Sequence, residues 1–219
     1  INLISLEDPV EYHMEGVCQV QINDRTDLTF ANALRAVLRQ DPDIIAVGEI
    51  RDGETAEIAM RAAMTGHLVF TTIHTNDALS SIDRLLDIGV EPYLIAGGVR
   101  GIIPQRLVRK ICPRCKQAYT PSQEELELLG LPQGDYQFYR GTGCSECFHT
   151  GYRGRTGVFE ILTMTPDMRR AIHQKDRKAM EEAVRRSTFR PILEDCAHLV
   201  AEGITTTEEI VKVIGGQVK

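Results

Sequence analysis

Ile44-Ile45-Ala46-Val47, followed at once by Gly48-Glu49-Ile50-Arg51-Asp52, is a short apolar run rich in β-branched side chains that ends on charge. A continuous run of this kind suits a strand buried on both faces, as in a parallel sheet. Asp41-Pro42 closes the element before it, because proline disfavours the α region in the residue it follows. Phe30, Leu34, Val37 and Leu38 recur upstream at helical spacing. Downstream, a helix is predicted from about Glu54 to Met64 with Gly66 as its cap, followed by strand-like Leu68–Ile73. Ile82, Leu85 and Leu86 then mark another helix, with Gly89 and Pro92 as its end, and Ile1–Leu6 reads as a strand at the start. Short apolar runs alternating with longer helical segments predict an α/β fold with parallel strands and helical crossovers.

The 219 residues suffice for one large or two small domains, and 42% hydrophobic with 26% charged residues is the composition of a globular protein, not a low-complexity one. With 31 acidic against 25 basic residues the net charge is −6, so no overall basic field exists and nucleic acid is not expected as a partner. No apolar run approaches the roughly 18 residues of a membrane span, and Ile1-Asn2-Leu3-Ile4 is too short for a signal-peptide core. A cytoplasmic protein is expected. Ile rather than Met in first place suggests a longer protein whose upstream part is not included.

Between about Ile111 and Arg155 the composition shifts to Cys, Gly, Pro, Tyr and polar residues, which predicts an inserted module. Helix signals dominate afterwards: Thr165-Pro166 as N-cap and first-turn proline, Gly203 as a stop, and Thr206 with Glu209 at capping-box spacing. Three segments are therefore expected: an α/β core over 1–110, a cysteine module over 111–155, and a mainly helical subdomain over 156–219.

In open α/β sheets the ligand crevice lies beyond the carboxyl ends of the strands. The strand exits here are Glu7-Asp8-Pro9, Gly48-Glu49-Ile50-Arg51-Asp52 and His74-Thr75-Asn76. In a parallel sheet these polar groups converge on one rim, although solvated loops also place polar residues after strands. Glu49, presented by a hydrophobic strand, has the form of a Walker B carboxylate that can hold a metal's water shell or polarise an attacking water. Glu7 is a second carboxylate that could act as base, or a turn cap near Pro9. His67 and His74 flank the third strand and either contact phosphate or are ordinary satisfied histidines. Arg51 either orients its loop, reaches a neighbouring subunit's nucleotide, or pairs with Asp52 or Glu54. No G-x-x-x-x-G-K-[ST] occurs and the first lysine is Lys110, so the α/β half offers no phosphate-cradling lysine.

Cys112-Pro-Arg-Cys115 and Cys144-Ser-Glu-Cys147 are two Cys-x-x-Cys knuckles whose four thiolates suit tetrahedral Zn²⁺ in a structural site, since the protein fills every coordination position. Their separation exceeds the usual 15 to 20 residues, so a long loop is expected between them. A redox dithiol and secreted disulfides fit the context less well. A zinc hydrolase suffers from the closed metal shell. Cys18 and Cys196 fall outside the pattern and are expected to be buried or inert thiols. Arg106-Leu-Val-Arg109-Lys110 reads as a solvated face, with partner docking as the minority reading.

Ile4-Ser5-Leu6-Glu7-Asp8-Pro9-Val10-Glu11-Tyr12, the string Leu38–Asp52, and Thr65-Gly66-His67-Leu68-Val69-Phe70-Thr71-Thr72-Ile73-His74-Thr75-Asn76 resemble, in this order, the Asp box, atypical Walker B and His box of the type II secretion and type IV pilus assembly ATPases. The knuckles, followed by Thr150-Gly151-Tyr152-Arg153-Gly154-Arg155, resemble the zinc module of the secretion and pilus-extension members; retraction members lack it. The resemblance spans nearly the whole chain. It implies a RecA-like P-loop core, ATP and Mg²⁺ as cofactors, a homo-hexamer with sites at subunit interfaces, and coupling to an inner-membrane platform protein and cytoplasmic-facing assembly proteins. It also implies a position peripheral to the inner membrane. By matching motifs, Glu49 and Glu7 are the candidate catalytic carboxylates, and Asp8, Glu49, Arg51, His67 and His74 the candidate nucleotide-site residues. Because the resemblance aligns the chain's start just past the P-loop helix, the intact protein is expected to be an ATPase and the isolated chain inactive. The competing reading is a zinc-stapled interaction module that docks on a membrane platform without catalysis.

Overall fold

The computed structural model describes residues 1–215. Along the chain run β1 (Leu3–Glu7), β2 (Cys18–Gln21), α1 (Phe30–Val37), β3 (Ile44–Val47), α2 (Gly53–Met64), β4 (Leu68–Thr71), α3 (Ala78–Asp87), α4 (Pro92–Gly98), β5 (Gly101–Ile102) and β6 (Gln105–Ile111). Then follow β7 (Lys116–Tyr119), α5 (Gln123–Leu128), β8 (Phe138–Gly141), β9 (Tyr152–Phe159), β10 (Leu162–Thr163), α6 (Pro166–His173), α7 (Arg177–Arg186), α8 (Ile192–Ala201) and α9 (Thr207–Gly215).

They form two compact units, 1–102 with 163–188, and 103–162 with 189–219, rather than three consecutive segments. The C-terminal helices explain the difference, because they are shared out. In the first unit α6 packs on α4, Arg169 donates to the carbonyl of Ala96 near the end of α4, and Arg177 pairs with Asp83 of α3. In the second, α8 and α9 close a core with α5 and the strands that flank the cysteines.

The first unit carries a four-stranded, all-parallel sheet in the order β2-β1-β3-β4. Ile4, Leu6, Ile45 and Val47 form its buried face, while Ile44 and Ala46 are only half-buried. β3 thus alternates, instead of being enclosed on both sides. Asp52 starts α2 by accepting from the Thr55 amide at 2.8 Å, Asp77 starts α3 by accepting from the Ser80 amide at 2.8 Å, and Gly66, at φ 111°, leaves α2 in the backbone region glycine favours. Pro92 proves to be the first residue of α4 and not the end of α3.

The second unit is built on two antiparallel ladders, β6 with β9 and β7 with β8. Phe138 is fully buried at its centre, with Val108, Val158, Ile192, Cys196, Val200 and Ile210 around it and Tyr119 edge-on at 6.3 Å. Thr206 caps α9 weakly, through the Glu209 amide at 3.4 Å. The Glu209 side chain is drawn instead to the Arg109 amide at 3.1 Å and guanidinium at 2.7 Å, so only half of the expected capping box forms. Arg106–Lys110 is therefore no simple solvated face: Val108 is buried and Arg109 is engaged.

Candidate functional site

Parallel register aligns the strand ends. Leu6 stands opposite Val47, and Val47 opposite Thr71, so Glu7, Gly48-Glu49 and the segment after β4 leave the sheet side by side. Gly48 extends the ladder: its amide donates to Leu6 O at 2.8 Å and its carbonyl accepts from Thr72 Oγ1 at 2.7 Å. A Cβ on Gly48 would lie 3.0 Å from Leu6 O, so the residue that delivers Glu49 to the rim must be small.

Four of the side chains there form one ionic string. Glu49 is linked to Arg51 through Oε1 and to His74 Nε2 through Oε2 at 3.0 Å, and Arg51 Nη1 reaches Asp8 Oδ2 at 3.3 Å. The Arg51 guanidinium, with His74 in support, holds the Glu49 carboxyl below the usual carboxylate range although burial opposes this. Arg51 therefore pairs with neither Asp52, which caps α2, nor Glu54, which binds Arg35. Glu7 is held differently, by neutral donors: Ser5 Oγ at 2.6 Å and Gln19 Nε2 at 2.9 Å, both to Oε1. The Ser5 hydroxyl, then the Gln19 amide, lower its pKa. Beside the string opens a cleft of about 340 Å³ bounded by Ile50, Arg51, Ile73, His74 and Arg84.

His67 does not join this rim. It precedes β4, so it lies at the amino end of the strand, where its Nδ1 is 3.1 Å from the Ala62 carbonyl at the close of α2. Two residues that sequence reading passed over do belong there. Gln19 sits opposite Ser5 on β2, and Arg84 lies on α3; strand pairing and helix placement, not local pattern, bring them in.

The cysteines form a second centre. All four Sγ atoms lie within 4.8 Å of one another, with 3.9 Å between Cys112 and Cys144, 3.9 Å between Cys115 and Cys147, and 3.7 Å between Cys144 and Cys147. Four thiolates about 2.3 Å from a tetrahedral Zn²⁺ would stand roughly 3.8 Å apart, so this donor set fits the metal. The ladders create the cluster: Cys112 follows β6, Cys115 precedes β7, and the second knuckle fills the turn between β8 and β9. The residues between the knuckles are β7, α5 and β8, not an open loop. Amides of Gly143, Cys144 and Gly151 donate to the sulfurs at 3.2–3.3 Å. Burial opposes ionisation of Cys147, yet the Cys144 and Gly151 amides prevail and bring its thiol to about 6, whereas burial pushes Cys115 up to about 11. Cys196 is buried as expected; Cys18 is exposed at the edge of the sheet, because β2 has only β1 as a neighbour.

Residues 1–212 match the family described as Type II/IV secretion system protein. The chain belongs to that family. It is 47% identical over 213 residues to the type II secretion system protein E of Pseudomonas aeruginosa, covering 97% of this chain and 42% of that protein. It is 46% identical to the type II secretion system ATPase E of Vibrio cholerae, with the same coverage, and 48% identical to the type IV pilus assembly ATPase PilB of Thermus thermophilus, covering 95% of this chain and 24% of PilB. The chain thus spans about two fifths of the secretion relatives' length. Among solved structures, the pilus retraction motor PilT with bound ADP superposes with a TM-score of 0.68 at 30% identity, over 97% of this chain and 52% of PilT. The Legionella pneumophila ATPase DotB, at 22% identity and a TM-score of 0.67 over 98% of this chain and 52% of DotB, shares the fold. No helix among the described residues is long and apolar enough to cross a membrane.

Proposed function

We propose that this secretion-family chain is the carboxylate-bearing part of a RecA-like P-loop motor ATPase that powers type II protein secretion or type IV pilus or pseudopilus assembly. The observation that carries the reading is the convergence of Glu7, Asp8, Glu49, Arg51 and His74 on one rim. Relatives named ATPases, 46% and 48% identical, support it. The motor works as a homo-hexamer at the cytoplasmic face of the inner membrane, against a platform protein.

Bound Mg²⁺-ATP would supply the phosphoanhydride and the charge-neutralising cation. The chain's own residues then divide the work. Glu49, tied to Arg51 and His74, suits the metal's water shell. Glu7, held by the neutral donors Ser5 and Gln19 at the same rim, takes the proton from water. Asp8 and Arg51 fix the loop that carries Glu49, and His74, 86% exposed, is free to meet phosphate. His67, at the other end of β4, has no part in this arrangement. The four cysteines hold zinc structurally, and the cysteine module favours secretion or extension over retraction. The 219-residue chain alone, without a phosphate-cradling glycine and lysine loop, is expected to turn over ATP negligibly.

Glu49→Gln in the full-length gene product tests the reading. ATP turnover is expected to fall at least about 100-fold with nucleotide binding retained, the scale of a positioned acid–base or metal-holding group. Unchanged turnover and secretion would leave a zinc-stapled docking module as the better account.

A further inference from the structure

Ser5 and Glu7 are two residues apart on β1 and therefore share one face of the sheet. Gln19 is the direct register partner of Ser5 on the neighbouring parallel strand. Both side chains reach the same oxygen: Ser5 Oγ lies 2.6 Å and Gln19 Nε2 2.9 Å from Glu7 Oε1. Ser5 is 2% exposed and sits in a sheet whose opposite face is apolar, a place where a hydroxyl is costly unless bonded.

The Gln19 amide is committed further. Its Oε1 accepts from the Met14 amide at 2.8 Å, while its second Nε2 proton goes to the Tyr12 carbonyl at 2.9 Å. Turning the amide over would set its oxygen against a carboxylate and a carbonyl, so a single orientation is possible. Gln19 thereby ties Glu7 to the loop between β1 and β2, whose Glu11 backbone and His13 side chain also favour the ionised carboxylate.

We propose that Gln19, with Ser5, is a positioning residue that fixes the Glu7 carboxylate at the rim; this rests on the role of base proposed for Glu7. A donor pair set by strand register holds one oxygen and so fixes the plane of the carboxylate. The two side chains that bond the carboxylate are both neutral, and His13 acts on it only through its charge. Both donors also favour the ionised form, so the group is ready to accept a proton well below neutral pH.

The experiment is the pH dependence of kcat and KM for ATP in the full-length gene product, for the wild type, Glu7→Gln, Gln19→Met, Gln19→Glu and Ser5→Ala. Gln19→Met keeps the length of the side chain without its donor. It is expected to lower kcat on the order of tenfold, part of the 10²–10⁴ a general base contributes, with KM unchanged. Loss of a donor to the carboxylate raises its pKa, so the acid limb should move to higher pH; Gln19→Glu, which adds a like charge, should move it further. Ser5→Ala removes the other donor and carries the test if the Gln19 variants fail to fold. An inactive Glu7→Gln alongside Gln19 and Ser5 variants whose acid limb stays in place would overturn the proposal and leave Glu7 as base. Full turnover by Glu7→Gln would overturn the reading of Glu7 itself, and the proposal with it.

Discussion

Gly141 and Gly151 show how tightly single residues govern the cysteine centre. A Cβ built on Gly141 would lie 2.0 Å from the carbonyl oxygen of Gly151, whose φ is 78°. That carbonyl accepts from the Cys112 amide at 2.9 Å, and the Gly151 amide donates to Cys147 Sγ at 3.3 Å, so one added methyl presses on both knuckles. Gly141→Ala is expected to cost about 1–3 kcal/mol, as overpacking does, and to lower bound zinc, read by thermal melting and metal analysis. Arg51 presents the opposite case. Its side chain is 54% exposed and bridges two carboxylates, a geometry lysine's point charge cannot reproduce. Because exposed pairs contribute little, Arg51→Lys should change stability by no more than about 0.5 kcal/mol while clearly reducing ATP turnover of the full-length protein. An equal loss of both would show that Arg51 holds the fold and not the site.

Among the elements, α9 meets β6 through a buried charge. Glu209 has a side chain only 7% exposed; burial opposes its ionisation, yet Arg109 and Lys212 bring it down to about 2. A depressed folded-state pKa contributes stability that is complete above the ordinary carboxylate value near 4.5 and is lost as pH falls towards 2. That amounts to about 3 kcal/mol at 1.36 kcal/mol per unit. Urea melts at pH 7, 4 and 2.5 should therefore show the gap between wild type and Glu209→Gln closing with acid; a constant gap would refute it. Elements of this kind were unequally legible in the sequence. β3 occupies Ile44–Val47 as its apolar run predicts, and Thr165-Pro166 starts α6 with the Thr165 hydroxyl accepting from Met168. β2 went unseen because Cys18-Gln-Val-Gln21 is too short and polar to signal a strand, and with it went Gln19. The rim was legible because parallel strands must deliver their exits to one edge. His67, which with His74 flanks β4, lies at the opposite edge because a residue before a strand sits at its amino end.

At the scale of the whole molecule, the cysteine knuckles join strands that the chain order keeps apart. Cys112 and Cys147 bracket β7, α5 and β8, and the core around Phe138 draws on residues from Val108 to Val213. Composition marked the cysteine segment as a module of its own, but β6 and β9 run from the knuckles into that shared core, so a metal held by the cysteines would stabilise the same unit as the core. Without metal, four mostly buried sulfurs gain only weak S–H contacts in place of coordination, and a thiol such as Cys115, raised to about 11, stays protonated. Metal binding there would release protons and be coupled to folding. Metal analysis is expected to find about one zinc per chain, and Cys112→Ser with Cys144→Ser to abolish it. The 1–102 and 163–188 unit draws its core from Leu6, Leu34, Ile45 and Ile82, none of which belongs to the unit that carries the cysteine cluster. Chelation followed by calorimetry should therefore lower the melting of the unit that carries the cysteine cluster and leave a separate transition for the sheet unit close to its original temperature. A chelated protein that melts unchanged would show that the sulfur cluster folds without metal.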